Sequence, residues 1–270
     1  MALIAVCSAK GSPGATVTAL AWTLSWSRRV ILAECDPAGG DIAAGYLREV
    51  PLDGRGLAQL TASMHRRRLA EDLWSQLVDL APGTGTGLTR MVLPGLSDPA
   101  QAAGMAPGWD QLAHLFRSLE SGTSGHDVIA DCGRLAAAHA PTAVLAAADA
   151  VLLVLRPALP SIRASATALA ALARAGIGPV GLVTVRDGPY PTKEIAAHLR
   201  TPVVAALPDD PGTAAVLSTG GERHRGRLLR AAAQTEPRVW QMINSSRAAR
   251  DGPTGPDGQP AQVREVRSVR

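Results

Sequence analysis

Lys10-Gly11-Ser12-Pro13-Gly14-Ala15-Thr16-Val17 is the stretch that decides the fold. Just before it runs Ala2–Cys7 (ALIAVC), a short apolar segment that reads as a buried strand. Just after it, Ala15–Ser25 sets Val17, Leu20, Ala21 and Leu24 on one helical face, and Val30–Glu34 reads as the next strand. Strand, glycine turn, helix and strand make the βαβ unit of a parallel sheet. Glycines at such a turn let backbone N–H groups face one point, and the helix N-terminus adds the positive end of its dipole. The turn is therefore built to hold an anion such as phosphate. Thr16 stands where its hydroxyl reaches a Mg²⁺ bound to those phosphates. The usual G-x-x-x-x-G-K-[ST] pattern fails at one place, because Ala15 stands where it requires lysine. Taken alone, the stretch also reads as an ordinary glycine-rich turn that binds nothing.

The same alternation continues outward. Gly54–Leu80 reads as helix in two pieces with a basic knot at Arg66–Arg68, and Gly83–Gly87 as a flexible loop. Strands are expected at Leu88–Leu93, Val128–Asp131, Ala150–Leu155, Val180–Val185 and Pro202–Ala206. Helices are expected at Trp109–Leu119, Ser161–Ala175, Thr192–Leu199, Gly212–Leu217 and Arg225–Ser245. This order predicts an α/β fold: a doubly wound, mostly parallel sheet with helices on both faces. It spans residues 1–247, and a disordered basic tail occupies 248–270, where the composition turns to Gly, Pro, Asp, Gln and Arg.

Two carboxylate-bearing stretches flank the turn in this reading. Glu34-Cys35-Asp36-Pro37 closes the second strand, and alternation points Glu34 and Asp36 the same way, toward the phosphate end. His126-Asp127-Val128-Ile129-Ala130-Asp131-Cys132-Gly133 is an apolar strand ending in Asp131 at the carboxyl edge, where such sheets bind ligands. Asp127 opens that strand and reads as structural, and Asp41 reads more readily as a surface cap than as a ligand.

These motifs, in this order, resemble the MinD/ParA family of dimeric P-loop ATPases (the SIMIBI class), whose deviant phosphate loop reads Lys-Gly-Gly-x-Gly-Lys-Thr. Lys10 matches the family's signature lysine, and Gly11, Gly14 and Thr16 match its turn. The resemblance covers roughly Met1 to Gly221. It implies ATP and Mg²⁺ as ligands, with the nucleotide on Lys10, Gly11, Ser12, Pro13, Gly14, Ala15, Thr16 and Val17 and its base end near Arg186, Pro208 and Asp209. It implies that Thr16, Asp36 and Asp131 hold the metal, that Asp36 orients the attacking water, and that Lys10 reaches the phosphates of a partner in a nucleotide-bridged homodimer. Two positions depart from the family: Ala15, and Val185 where many members carry the asparagine that recognises adenine. Both argue against fast hydrolysis. Leu88–Ala103 looks like the TadZ/CpaE branch, which implies a pilus or secretion assembly ATPase as partner.

Charge and cysteines bound the alternatives. From Gly220 onward ten arginines face five acids, so the basic character of a chain whose net charge is +4 lies in this segment. Arg223, Arg227 and Arg230 fall on one helical face, which leaves open a ParA-like DNA-partitioning role. A scaffold that kept the fold and lost the chemistry is the other alternative, with Ala15 as its mark. Three cysteines form no paired disulfide framework, and no apolar run reaches the length of a membrane span, so a reducing, cytoplasmic setting is expected. Cys7, Cys35 and Cys132 all end predicted strands beside the turn, which reads as small buried residues or, less readily, as a redox- or metal-binding trio.

Overall fold

The computed structural model describes residues 1–11, 13–64, 68–82, 88–119, 125–221 and 226–251. The eight strands of its sheet are β1 (Leu3–Ser8), β2 (Val30–Glu34), β3 (Val78–Asp79), β4 (Arg90–Leu93), β5 (Asp127–Arg134), β6 (Ala150–Leu155), β7 (Val180–Val185) and β8 (Val203–Leu207). They lie in the order β3-β4-β2-β5-β1-β6-β7-β8. Every neighbouring pair is parallel except β3 with β4. The expected doubly wound sheet is therefore present. β1 sits between β5 and β6, in register Leu3 to Val128 on one side and Ile4 to Ala150 on the other.

Alternation along the strands sorts side chains into two layers. Leu3, Ala5 and Cys7 face one core, while Ala2, Ile4 and Val6 face the other. Over the second layer lie α1 (Ala15–Ser25), α9 (Pro211–Thr219) and α10 (Arg227–Asp251). The opposite face carries α2 (Leu57–Met64), α3 (Leu69–Gln76), α4 (Ala102–Met105), α5 (Trp109–Ser118), α6 (Thr142–Ala147), α7 (Leu159–Arg174) and α8 (Thr192–Leu199).

Three expectations change. The segment after α3 is the short antiparallel edge strand β3, where helix was expected to run on to Leu80, because Val78 finds a pairing edge opposite Val92. The turn of helix α6 was not foreseen. It follows Pro141 and buries only Val144 and Leu145, a pattern too short to register as a helical period. The last helix, expected at Arg225–Ser245, runs from Arg227 to Asp251.

That last helix is fastened to α1 by polar contacts inside the layer. The Trp22 indole donates to Thr235 Oγ1 at 3.1 Å, and Glu236 accepts from both the amide and the hydroxyl of Ser27. Trp240 stacks at 6.4 Å from Trp26, and the Arg28 guanidinium lies 4.6 Å over its ring. At the foot of the sheet, fully buried Asp127 accepts from the Ala2 amide and the Trp26 indole, each at 2.9 Å. Asp149 does the same for Leu3 and receives Arg247 from α10.

Asp127→Ala strands two buried donors, and that costs about 3 kcal/mol. Thermal denaturation followed by circular dichroism is expected to show a midpoint about 10 °C lower. Arg28→Ala, which removes the half-exposed partner of the same carboxylate and the cation over Trp240, is expected to shift it by no more than about 4 °C.

Candidate functional site

The carboxyl edge of the sheet opens into a cleft of ≈ 640 Å³ directly over the end of β1. Its floor is the turn itself: Gly11, Pro13, Gly14, Ala15, Thr16 and Val17 all line it. Ser12 lies outside the described residues. Gly11 and Gly14 hold φ of 73° and 105°, left-handed values that a residue with a Cβ seldom takes. Gly14 caps α1 through its carbonyl, which accepts from the Thr18 amide at 2.9 Å. The first amides of α1 are thereby turned to the cleft, the arrangement that binds anions.

Beneath the turn lies buried Asp131, whose carboxylate accepts from the Gly133 amide at 3.1 Å and has its pKa drawn down by the neighbouring Thr16 hydroxyl. Burial still raises the Asp131 pKa to about 6. Asp36 lines the cleft from the end of β2. Burial raises its pKa as well, while the Ala38 amide and the Arg134 charge oppose that rise. Gly133, with φ of 61°, lets Asp36 come this close, because a Cβ there would collide with the Asp36 carboxyl. Thr16 and Asp36 thus line one end of the cleft with Asp131 buried below them, a hydroxyl and two carboxylates of the kind that suits a hard cation such as Mg²⁺. Asp41 also lines the cleft, where a surface cap was expected.

At the other end, Val185, Pro208, Pro211, Ala214 and Leu228 form an apolar wall. Arg186 and Asp209 border it and pair at 3.5 Å, both about half exposed. Asp210 caps α9 by accepting from Thr213 and ties it to α10 through the Leu228 amide. Lys10 is exposed and does not line the cleft of its own chain.

Glu34 does not face the phosphate end as alternation implied. It is buried, and its carboxylate accepts from the amides of Ile42 and Gly95, each at 3.0 Å. Asp36 lies beyond the last residue of β2, so strand alternation no longer relates the two. Burial lifts the Glu34 pKa to about 7 despite those amides.

Cys7, Cys35 and Cys132 lie side by side on one face of the sheet, fully buried. Burial pushes all three thiols up, which makes them poor nucleophiles. Among the described residues, no group of three or more His, Cys, Asp or Glu side chains is placed to hold a metal ion, so the metal-binding reading of the trio falls. Of the arginines expected on one C-terminal face, Arg223 lies outside the described residues and Arg227 donates to the Asp209 carbonyl at 2.9 Å. Two arginines that sequence reading passed over, Arg134 and Arg156, line the cleft. Their only signal was position, each at the end of an apolar strand.

No protein-family model and no curated protein matches the sequence. Solved structures do match the fold. The cell division ATPase MinD of Pyrococcus furiosus is 19% identical, with a TM-score of 0.67 over 88% of this chain and 98% of that one. MinD of Pyrococcus horikoshii, complexed with Mg-ADP, is 18% identical at 0.65 over 90% and 97%. A ParA family ATPase from Chlorobium tepidum is 17% identical at 0.63 over 91% and 98%. The fold is that of the MinD/ParA ATPases. Among the described residues, no helix is long and apolar enough to cross a membrane.

The Glu34 carboxyl ionises near 7 in the folded chain and near 4.5 when unfolded. The stability its protonated form contributes is complete below 4.5 and lost as pH rises through 7. Wild type is therefore expected to melt progressively lower than Glu34→Gln between those values, by about 5 °C at the end, and to run parallel above them. Gly133→Ala, which forces Asp36 out of place, is expected to lower the melting midpoint by about 5 °C, read by the same scan.

Proposed function

We propose that this chain is a MinD/ParA-type nucleotide switch that binds ATP with Mg²⁺ in the cleft over β1. One observation carries the reading: the glycine turn with Thr16 and the Asp36 carboxylate line a single opening at the switch point of the sheet, with Asp131 buried beneath it. The amides between Gly11 and Thr16 would hold the phosphates, Thr16 and Asp131 the metal, and Asp36 would orient water. Arg186, Pro208 and Asp209 would border the base. Bound Mg-ATP would supply an electrophilic phosphoryl group, with catalysis resting on position and charge. The absence of a lysine at Ala15 favours slow turnover or none.

Lys10 is exposed at the rim, outside its own cleft, a place from which it would serve a second copy. The ATP-bound homodimer would then recruit partner machinery. The TadZ/CpaE-like stretch Leu88–Ala103 supports a pilus or secretion assembly ATPase as that partner.

Titration of the full chain with Mg-ATP, read by calorimetry, is expected to saturate. Sedimentation is expected to show a dimer with ATP and a monomer without it. Lys10→Ala is expected to bind nucleotide within about threefold of wild type yet remain monomeric, since it removes a contact made across the dimer. A chain that binds no Mg-ATP leaves only the scaffold reading.

A further inference from the structure

The carboxyl edge of the sheet presents its charges in a fixed order. Reading across neighbouring strands, the ends are Asp36 after β2, Arg134 closing β5, the glycine turn after β1, Arg156 after β6, Arg186 after β7 and Asp209 after β8. All six positions line the cleft. The turn itself has Ala15 where the phosphate-loop pattern carries its lysine. Arg134 and Arg156 stand immediately on either side of it.

Register fixes that placement. Ser8, the last residue of β1, pairs with Arg134 on one flank and with Val154, two residues before Arg156, on the other. The Leu135 amide donates to the Ser8 carbonyl at 2.9 Å, which holds the chain at Arg134 against the start of the turn. Arg134 is exposed, and its charge acts on Asp36 across the metal end. Arg156 is also exposed, and its backbone is fixed by donating to the Ser161 hydroxyl at 3.1 Å. Arg186 lies toward the base end, where it pairs with Asp209.

We infer that Arg134 and Arg156 hold the phosphate groups of the bound ligand from both flanks and supply, within the one chain, the positive charge that Ala15 does not. The inference rests on the cleft being a phosphate site. Two guanidiniums reaching in from neighbouring strand ends replace one ammonium rising from the turn. A guanidinium keeps its charge at any working pH and grips phosphate oxygens two at a time. The ligand class is a polyphosphate, and the pair is indifferent to the base, which lies toward Arg186 and Pro208.

The test uses the full chain, a fluorescent ATP analogue in the presence of Mg²⁺, and inorganic tripolyphosphate as competitor. Arg134→Ala and Arg156→Ala are each expected to weaken both probes about tenfold, the loss of one charge-assisted contact, and the double variant by more. Arg134→Lys and Arg156→Lys, which keep the charge but lose the two-point grip, are expected to recover only part of that loss. Arg174→Ala, at the far end of α7, serves as the control and is expected to match wild type. A double variant that binds tripolyphosphate as tightly as wild type overturns the inference and leaves the nucleotide reading standing. A wild-type chain that binds neither probe overturns both.

Discussion

The structure depends on one backbone constraint: β1 must end at the centre of the sheet and reverse into α1 within six residues. Only left-handed backbone at Gly11 and Gly14 allows that reversal without strain. Because β1 lies between β5 and β6, the reversal opens upward into the gap where the chain departs in two directions. The cleft is a consequence of that topology, and its floor of amides a consequence of the turn. The loops after β2, β5, β6, β7 and β8 then have nowhere to end except around its rim.

Much of this was legible in the sequence for a simple reason. Buried parallel strands are continuous apolar runs, and β2, β6 and β7 fall on the expected residues because both their faces are covered. The turn and its carboxylates were legible because glycine spacing and strand-end acids are local features. What escaped depended on partners distant in sequence. β3 exists only because β4 offers it an edge. Glu34 was placed at the phosphate end by an alternation that stops with the strand, whereas the amides of Ile42 and Gly95 decide where it goes. Arg134 and Arg156 carry no motif. They acquire meaning only when the strand order sets them on opposite sides of β1.

The C-terminal helix shows the same division. Its apolar residues Val239, Trp240, Met242 and Ile243 pack on α1 and the sheet. Its arginines predicted charge without direction. Arg227 turns back to the Asp209 carbonyl and Arg247 reaches Asp149 and the Met1 carbonyl, so these cations hold the helix to the domain. A basic composition therefore became internal fastening at the positions where carbonyls and a buried carboxylate were within reach.

Glu34 joins the site to the rest of the fold. The segment from Asp36 to Ile42 starts at the cleft and ends on one oxygen of Glu34, while the other oxygen holds Gly95, just after β4. The backbone reinforces the tie, since the Gly40 amide donates to the Leu96 carbonyl at 2.8 Å. A displacement of Asp36 cannot be absorbed by a slack loop, because the loop is anchored a few residues on. The far end of that anchor is the segment following β4, reached through a buried, hydrogen-bonded carboxylate. The cleft loop and the segment following β4 are thus tied twice, by the buried Glu34 carboxylate and by the Gly40–Leu96 backbone hydrogen bond.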